Sequence, residues 1–393
     1  MPEQLVVRIE KPVHGGHAIA RHEGRVIFVR HGAPGELVTV QLTEKKKIWR
    51  GDVIDVHEAH PQRIPVAWEH AGPGGVGAEL AHLSLPAQRE WKQEVIRDAL
   101  ERIARQSLPI SVEPVDDGDG WGTRTRIELT ADDQGRAGMF AHRSHIHVPL
   151  TTMPLAHRAL DELELFDTSW PARARITAIA PSADAPVALI DGVPPPGHPG
   201  TVWERAGGFE YLVDAGGFWQ AHHRAPETLL AAVQNAVGHV QGATVLDLFS
   251  GTGLFTVPLA AAAGASGRVH AVEGDRRAVA NARINAEGHS NIHLHRGDVE
   301  RVLASGEIPE RADVVVLDPP RVGARKGVIA EVLARKPERI VYVSCDPAAL
   351  ARDLAFASEG GYTAERIDSY DLFPHTHHIE SLAVLRPQTG TGS

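Results

Sequence analysis

Cysteine occurs once in this sequence, as Cys345 in Val343-Ser344-Cys345-Asp346-Pro347. A lone thiol forms no internal disulfide, and free cysteine is commonly a small buried residue. Position points elsewhere. Cys345 follows Arg339-Ile340-Val341-Tyr342-Val343, an apolar run with the character of a buried strand, and ligands of open α/β sheets bind at strand ends. A thiolate there is a candidate nucleophile. Glu380 is the second reactive group, closing Phe373-Pro374-His375-Thr376-His377-His378-Ile379-Glu380 before the apolar run Ser381 to Leu385. Three histidines and a glutamate invite a metal, but their spacing is not a standard zinc motif and no second ligand cluster follows. No metal is expected. Glu380 is expected beside Cys345 for proton transfer.

A third constellation is Asp247-Leu248-Phe249-Ser250-Gly251-Thr252-Gly253, a glycine turn after the apolar run from Ala243. Glycines such as Gly251 let the backbone approach a nucleotide-like ligand. Glu273 ends the next strand and is placed to accept both hydroxyls of a ribose. Asp298, in Arg296-Gly297-Asp298, follows the third strand and suits an adenine amino group. In this order they indicate an adenosine-containing cofactor, either a dinucleotide or S-adenosylmethionine. Asp318-Pro319-Pro320-Arg321 then makes a stiff loop after the fourth strand, suited to a planar substrate beside the cofactor.

One reaction uses all of these groups. C5 of uracil is too poor a nucleophile to take a methyl group directly. A thiolate adding to C6 makes an enolate whose C5 can attack a sulfonium methyl, and a base must then remove the C5 proton so that the thiol is expelled. That chemistry needs one cysteine and one carboxylate. A dehydrogenase would explain the glycines and Glu273 but would leave Cys345 and Glu380 idle.

The elements that must position these groups fall into three regions. Residues 1–59 hold short β-branched runs, including Leu5 to Ile9, Arg25 to Val29, Leu37 to Leu42 and Asp52 to Val56, separated by glycine turns. They predict a small barrel of the oligonucleotide-binding type. Its Lys45-Lys46-Lys47-Ile48-Trp49-Arg50 run makes Lys45, Lys46, Lys47 and Arg50 candidates for phosphate contacts. Residues 60–205 read as a central α+β region, with a helix over Trp91 to Gln106 and a strand over Arg126 to Thr130. Residues 206–393 alternate strand and helix, the pattern of a doubly wound, Rossmann-like sheet. The chain of 393 residues is 42% hydrophobic and 23% charged, with a net charge of -10. This excludes a protein that is basic throughout but allows a local basic face. No run approaches transmembrane length and no signal peptide opens the chain, so a reducing cytoplasm is expected.

These motifs resemble the RNA uracil-C5 methyltransferases over nearly the whole chain. Val13-His14-Gly15-Gly16 and Pro34-Gly35-Glu36 look like a TRAM domain, an RNA-binding barrel. Phe218-Trp219-Gln220 resembles the element that opens the catalytic domain, and Asp318-Pro319-Pro320-Arg321, Ser344-Cys345-Asp346-Pro347 with Arg352-Asp353-Leu354, and the segment ending in Glu380 match in order. The resemblance implies Cys345 as nucleophile and Glu380 as base. It implies S-adenosylmethionine held by Gln220, Phe249, Gly251, Glu273, Asp298 and Asp318, and RNA, ribosomal slightly favoured over transfer, meeting Arg321 and the basic run. No membrane or obligate protein partner is implied. His222, Ser250, Asp346 and Ala349 depart from the usual pattern, and residues 69–83 lack the four cysteines that carry an iron–sulfur cluster in some relatives. No such cluster is expected. The rivals are an RNA cytosine-C5 methyltransferase, which commonly places a second cysteine in the fourth-strand loop, and an RNA-binding protein with a decayed catalytic domain.

Overall fold

The computed structural model describes residues 3–388. Strands β1 (Gln4–Val13), β2 (His17–His22), β3 (Arg25–Arg30), β4 (Leu37–Lys45) and β5 (Trp49–Glu58) close into a barrel in the order β1-β2-β3-β5-β4. Alternation drives it: Val7, Ile9, Ala18, Ala20, Ile27, Val29, Val38, Val40 and Val53 all point into its core. The strand without a sequence expectation is β2, where His17-Ala18-Ile19-Ala20 carries only one β-branched residue.

Helix α1 (Leu85–Ala99) starts well before the expected Trp91. Ser84 is its N-cap, its Oγ accepting from the Ala87 backbone N–H at 3.4 Å, and Pro86 sits in the first turn. The helix widens into one π-turn over Leu100–Ala104. Strand β6 (Val112–Pro114) follows, then β7 (Arg126–Ala131), β8 (Ala137–Phe140), β9 (His147–Pro149), β10 (Arg175–Ile179) and β11 (Val187–Ile190). The last five form a sheet in the order β11-β10-β7-β8-β9, with its own apolar cluster. A hairpin, β12 (Thr201–Ala206) and β13 (Phe209–Asp214), leads into the catalytic part.

There α2 (Ala225–Val237), β14 (Thr244–Leu248), α3 (Thr256–Ala263), β15 (Arg268–Glu273), α4 (Arg276–Asn285), β16 (Ile292–Arg296), α5 (Val299–Ala304), β17 (Val314–Leu317), α6 (Arg325–Ala334), β18 (Arg339–Ser344), α7 (Pro347–Glu359), β19 (Tyr362–Asp371) and β20 (Glu380–Pro387) succeed one another. The sheet order is β16-β15-β14-β17-β18-β20-β19-β6. It is parallel from β16 to β18, as a doubly wound fold requires. Beyond β18 it turns mixed: β20 runs antiparallel to both β18 and β19, and β6 adds parallel to β19. A hairpin needs no crossover helix, so β19 and β20 complete the sheet with the loop 372–379 alone between them. One sheet face packs on α5, α6, α7 and α1, in a core continuous with the barrel's; the other packs on α2 and α3.

Candidate active site

The β18–β20 pairing builds the reactive centre. Ser344 faces Ser381 in the antiparallel register, so one step further along each strand Cys345 faces Glu380. Strand geometry alone thus places the thiol beside the carboxylate, although a helix and a whole strand, α7 and β19, lie between them in sequence. Asp346 caps α7, its Oδ1 accepting from Ala349 N–H at 2.8 Å, and Pro347 takes the first helical position. Cys345 therefore sits in a sharp strand-to-helix turn, half-buried.

Electrostatics at this centre run against ionisation. Burial, then the Glu380 and Asp318 carboxylates, push the Cys345 thiol up to about 12, with Arg321 opposing. Burial and Asp318 hold the Glu380 carboxyl well above the usual carboxylate range, again against Arg321. Asp318 is raised by burial and by Asp247. Asp247, completely buried beneath the glycine turn, is raised to about 7 by burial although Thr256 Oγ1 donates to it. Arg321 is thus the cation of the pocket, its Nη2 lying 3.5 Å from His378 Nδ1. The proline loop carrying Asp318 and Arg321 is braced by Asp353 of α7. Its Oδ2 accepts from Ala324 N–H at 2.7 Å and from the Tyr342 hydroxyl at 2.7 Å. Gly323 passes so close to Arg352 and Asp353 that a Cβ would stand 2.5 Å from both side chains.

Of the expected cofactor residues, Phe249, Gly251, Glu273, Asp298 and Asp318 lie at or just after the C-terminal ends of neighbouring parallel strands. Phe249 follows β14 with a φ of +63°, and Gly251 at +55° and Gly253 at +100° come after it. A phenylalanine in the left-handed region is strained, and such strain is found where a turn is over-determined by its site. Glu273 braces the turn, its Oε2 accepting from Gly251 N–H at 3.0 Å and its Oε1 from Asp275 N–H at 2.6 Å. A Cβ on Gly251 would meet nothing within 4 Å, so the turn borders open space. A strained turn, an acid at the next strand end and open space beside them fit an adenosine-bearing cofactor. Asp298 caps α5, accepting from Arg301 N–H at 3.1 Å. Gln220 is buried in the segment between β13 and α2, while Phe218 beside it is 78% exposed.

The basic run forms the β4–β5 hairpin tip of the barrel. Much of its charge is matched locally: Lys45 pairs with Glu3 at 2.6 Å, and Lys46 and Arg50 with Glu44 at 3.7 and 3.4 Å. Lys45 and Arg25 also lie over the Trp49 ring, and Arg50 over Phe28. His222 lies with His223 and Asp116 in a group close enough for a metal. His222 Nδ1 accepts from Arg224 N–H at 3.1 Å, His222 Nε2 lies 3.0 Å from Asp116 Oδ2, and Arg224 Nε lies 2.8 Å from Asp116 Oδ1, so the Arg224 cation already pairs with this carboxylate.

Sequence reasoning missed His14, whose Nε2 lies 3.1 Å from Asp346 and joins barrel to catalytic turn. It also missed Glu79, which holds His377. Neither carries a local signal, because each acts through a contact between distant segments.

Matches to known proteins accord with this arrangement. Residues 309–388 match the tRNA (Uracil-5-)-methyltransferase model, residues 3–52 the TRAM domain and residues 245–319 a methyltransferase domain. An RNA methyltransferase of Bifidobacterium longum is 38% identical, covering 97% of this chain and 96% of its own length. The 23S rRNA (uracil(1939)-C(5))-methyltransferase of Shewanella amazonensis is 30% identical over 98% of this chain and 96% of its own. The chain belongs to the RNA uracil-C5 methyltransferases. The fold agrees: the tRNA (uracil-54, C5)-methyltransferase of Pyrococcus abyssi, solved with S-adenosyl-L-homocysteine, superposes with a TM-score of 0.71 at 21% identity, covering 96% of this chain and 99% of that one. This methyltransferase family member has no helix among its described residues long and apolar enough to cross a membrane.

Proposed function

We propose that this enzyme methylates C5 of a uridine in structured RNA through a covalent bond between Cys345 and C6 of the base. The observation that carries the proposal is the β18–β20 register, which sets Cys345 opposite Glu380 in a pocket of raised pKa values. The thiol passes its proton to solvent as the uracil arrives, and Arg321 is the cation that favours the thiolate. Sγ adds to C6, breaking the C5–C6 double bond and placing electron density at C5. When bound, S-adenosylmethionine supplies an electrophilic methyl group to that carbon. In its ionised form Glu380 then takes the C5 proton, the double bond re-forms and Sγ leaves as the thiolate, which regains a proton from solvent. Burial pushes the Asp318 carboxyl up to about 7, so near neutral pH it is protonated in part and in that form can donate a hydrogen bond. Gln220, Phe249, Gly251, Glu273, Asp298 and Asp318 are the residues that would hold the cofactor.

Ribosomal RNA is the favoured substrate, supported by the specificity in the name of the Shewanella amazonensis relative, which matches over nearly its full length. The enzyme acts in the cytoplasm, through the barrel and Arg321 on the RNA. It works without an iron–sulfur cluster: one cysteine cannot supply a four-cysteine ligand set. The purified protein should be colourless, and stoichiometric iron and sulfide would refute this.

The deciding experiment uses methyl-tritiated S-adenosylmethionine with total RNA from a strain lacking the gene. Wild-type enzyme should release tritium-labelled 5-methyluridine in ribosomal RNA. Glu380→Gln should keep the label with denatured protein as a covalent adduct, and Cys345→Ala should give neither. Full turnover by Cys345→Ala would overturn the mechanism, and label in transfer RNA alone would overturn the substrate assignment.

A further inference from the structure

Glu380 closes the loop 372–379, and the way that loop is held points beyond the two reacting residues. Three side chains from residues 79–92, far away in sequence, reach it at alternate positions. Lys92 on α1 is 0% exposed, and its Nζ donates to Asp371 Oδ1 at 2.5 Å and to the Phe373 carbonyl at 2.9 Å. Gln88, one helical turn earlier and also 0% exposed, accepts from His375 N–H at 2.7 Å through Oε1. Its Nε2 donates to the Leu83 carbonyl at 2.8 Å and lies 3.2 Å from His375 Nδ1. Glu79 Oε1 accepts from His377 N–H at 2.8 Å and also contacts His377 Nδ1. Leu80 N–H completes the junction by donating to the His375 carbonyl at 2.9 Å.

The loop does not take this shape unaided. His375 has a φ of +65°, a left-handed conformation costly for a side chain with a Cβ. Its ring is stacked on Trp121 at 3.8 Å, and its Nε2 lies 2.9 Å from the Asp119 carbonyl. Apolar residues would fill the same volume at no loss of stability, because burying a charge such as Lys92 is a poor way to strengthen a core. What directed polar contacts add is a single loop geometry. The sheet fixes the start of β20 by pairing Glu380 with Tyr370; the loop fixes the approach to it.

We infer that Glu79, Gln88 and Lys92 are positioning residues for Glu380, a buried polar clamp that aims the base at the C5 proton. The inference rests on the assignment of Glu380 as base. Misplacing a reacting group by about 1 Å can cost on the order of a hundredfold in rate. Loosening the clamp should therefore slow the proton-removal step while sparing addition of Cys345.

The test follows tritium from methyl-labelled S-adenosylmethionine in single turnovers on total RNA from a strain lacking the gene. Full-length Glu79→Gln and Gln88→Leu are compared with wild type and with Glu380→Gln. In the clamp variants, label should join protein at a rate within about threefold of wild type and leave it at least about tenfold more slowly, so adduct accumulates. Equal slowing of both steps, or no change in either, would overturn the clamp and show a merely structural role. Glu79→Gln keeps the shape of the side chain and decides the matter if Gln88→Leu does not fold. The Glu380→Gln arm separates the two claims. If it traps adduct and the clamp variants do not, only the clamp fails; if it traps none, the base assignment fails and the clamp falls with it.

Discussion

The two halves of the strand-end edge are built on opposite principles. On the cofactor side, Glu273 is satisfied by two backbone N–H groups and Asp298 by the first turn of α5. These carboxylates brace the backbone turns beside them. On the nucleophile side, Asp318, Cys345 and Glu380 are crowded together and desolvated, with Arg321 as the opposing cation. Their neutral forms are favoured. In the proposed function, one half holds the cofactor through braced turns and the other moves protons when a substrate displaces water. The difference teaches that binding and chemistry can share a sheet edge when they use different local environments.

The sharpest way to break the comparison is to remove groups from the proton-moving half. Cys345→Ala should abolish turnover and adduct together. Glu380→Gln should lower turnover by about 10²–10⁴, the usual worth of a general base, while adduct builds up. Replacing Glu273 with Ala tests the other half. A hydrogen bond to a charged group is worth about 1.5–3 kcal/mol, so the KM for S-adenosylmethionine should rise by roughly 10- to 100-fold. The kcat at saturation should hold, and a fall in kcat with KM unchanged would contradict a binding role.

The pH dependence sharpens the same contrast. The folded Cys345 thiol is raised to about 12 and the Glu380 carboxyl is raised as well, so both are protonated more at neutral pH than free side chains would be. Raising the pH removes these protons. The single-turnover rate of adduct formation should therefore climb about tenfold per pH unit, as the thiolate fraction does below its pKa. A rate that stays flat as the pH rises would mean that the thiol is already ionised at rest. The smallest effect is expected at the hairpin tip. Changing Lys45, Lys46, Lys47 and Arg50 together to Ser should weaken RNA binding and lower its log–log salt slope by about one unit for every phosphate left without a cation. The weakening should be modest, because Glu3 and Glu44 already pair with Lys45, Lys46 and Arg50. An unchanged slope would make the run a solvated turn.

Much of the fold was legible along the chain, because hydrophobic period reports local structure directly. The run Arg339 to Val343 became β18, one residue longer at its C-terminal end, and Glu273 ends β15. Where the local signal is weak, it failed. Strand β2 relies on alanines, and β19, with Glu365, Arg366 and Asp368 along it, shows too few apolar residues to announce itself. The start of α1 was missed because Ser84 and Pro86 mark it, while its apolar stripe begins later.

The sequence by itself determined the chemistry available: one thiol, an acid before an apolar strand, a glycine turn and an acid at the next strand end. Residue type and position relative to a strand end are local properties, so they can be read in order. Only the tertiary structure decided which groups meet. The antiparallel register of β18 and β20 puts Cys345 opposite Glu380, His14 of the barrel reaches Asp346, and Glu79, Gln88 and Lys92 grip a loop nearly three hundred residues away. Such pairings depend on how separate elements pack, and desolvation, which sets the protonation of Cys345 and Glu380, exists only once they have packed.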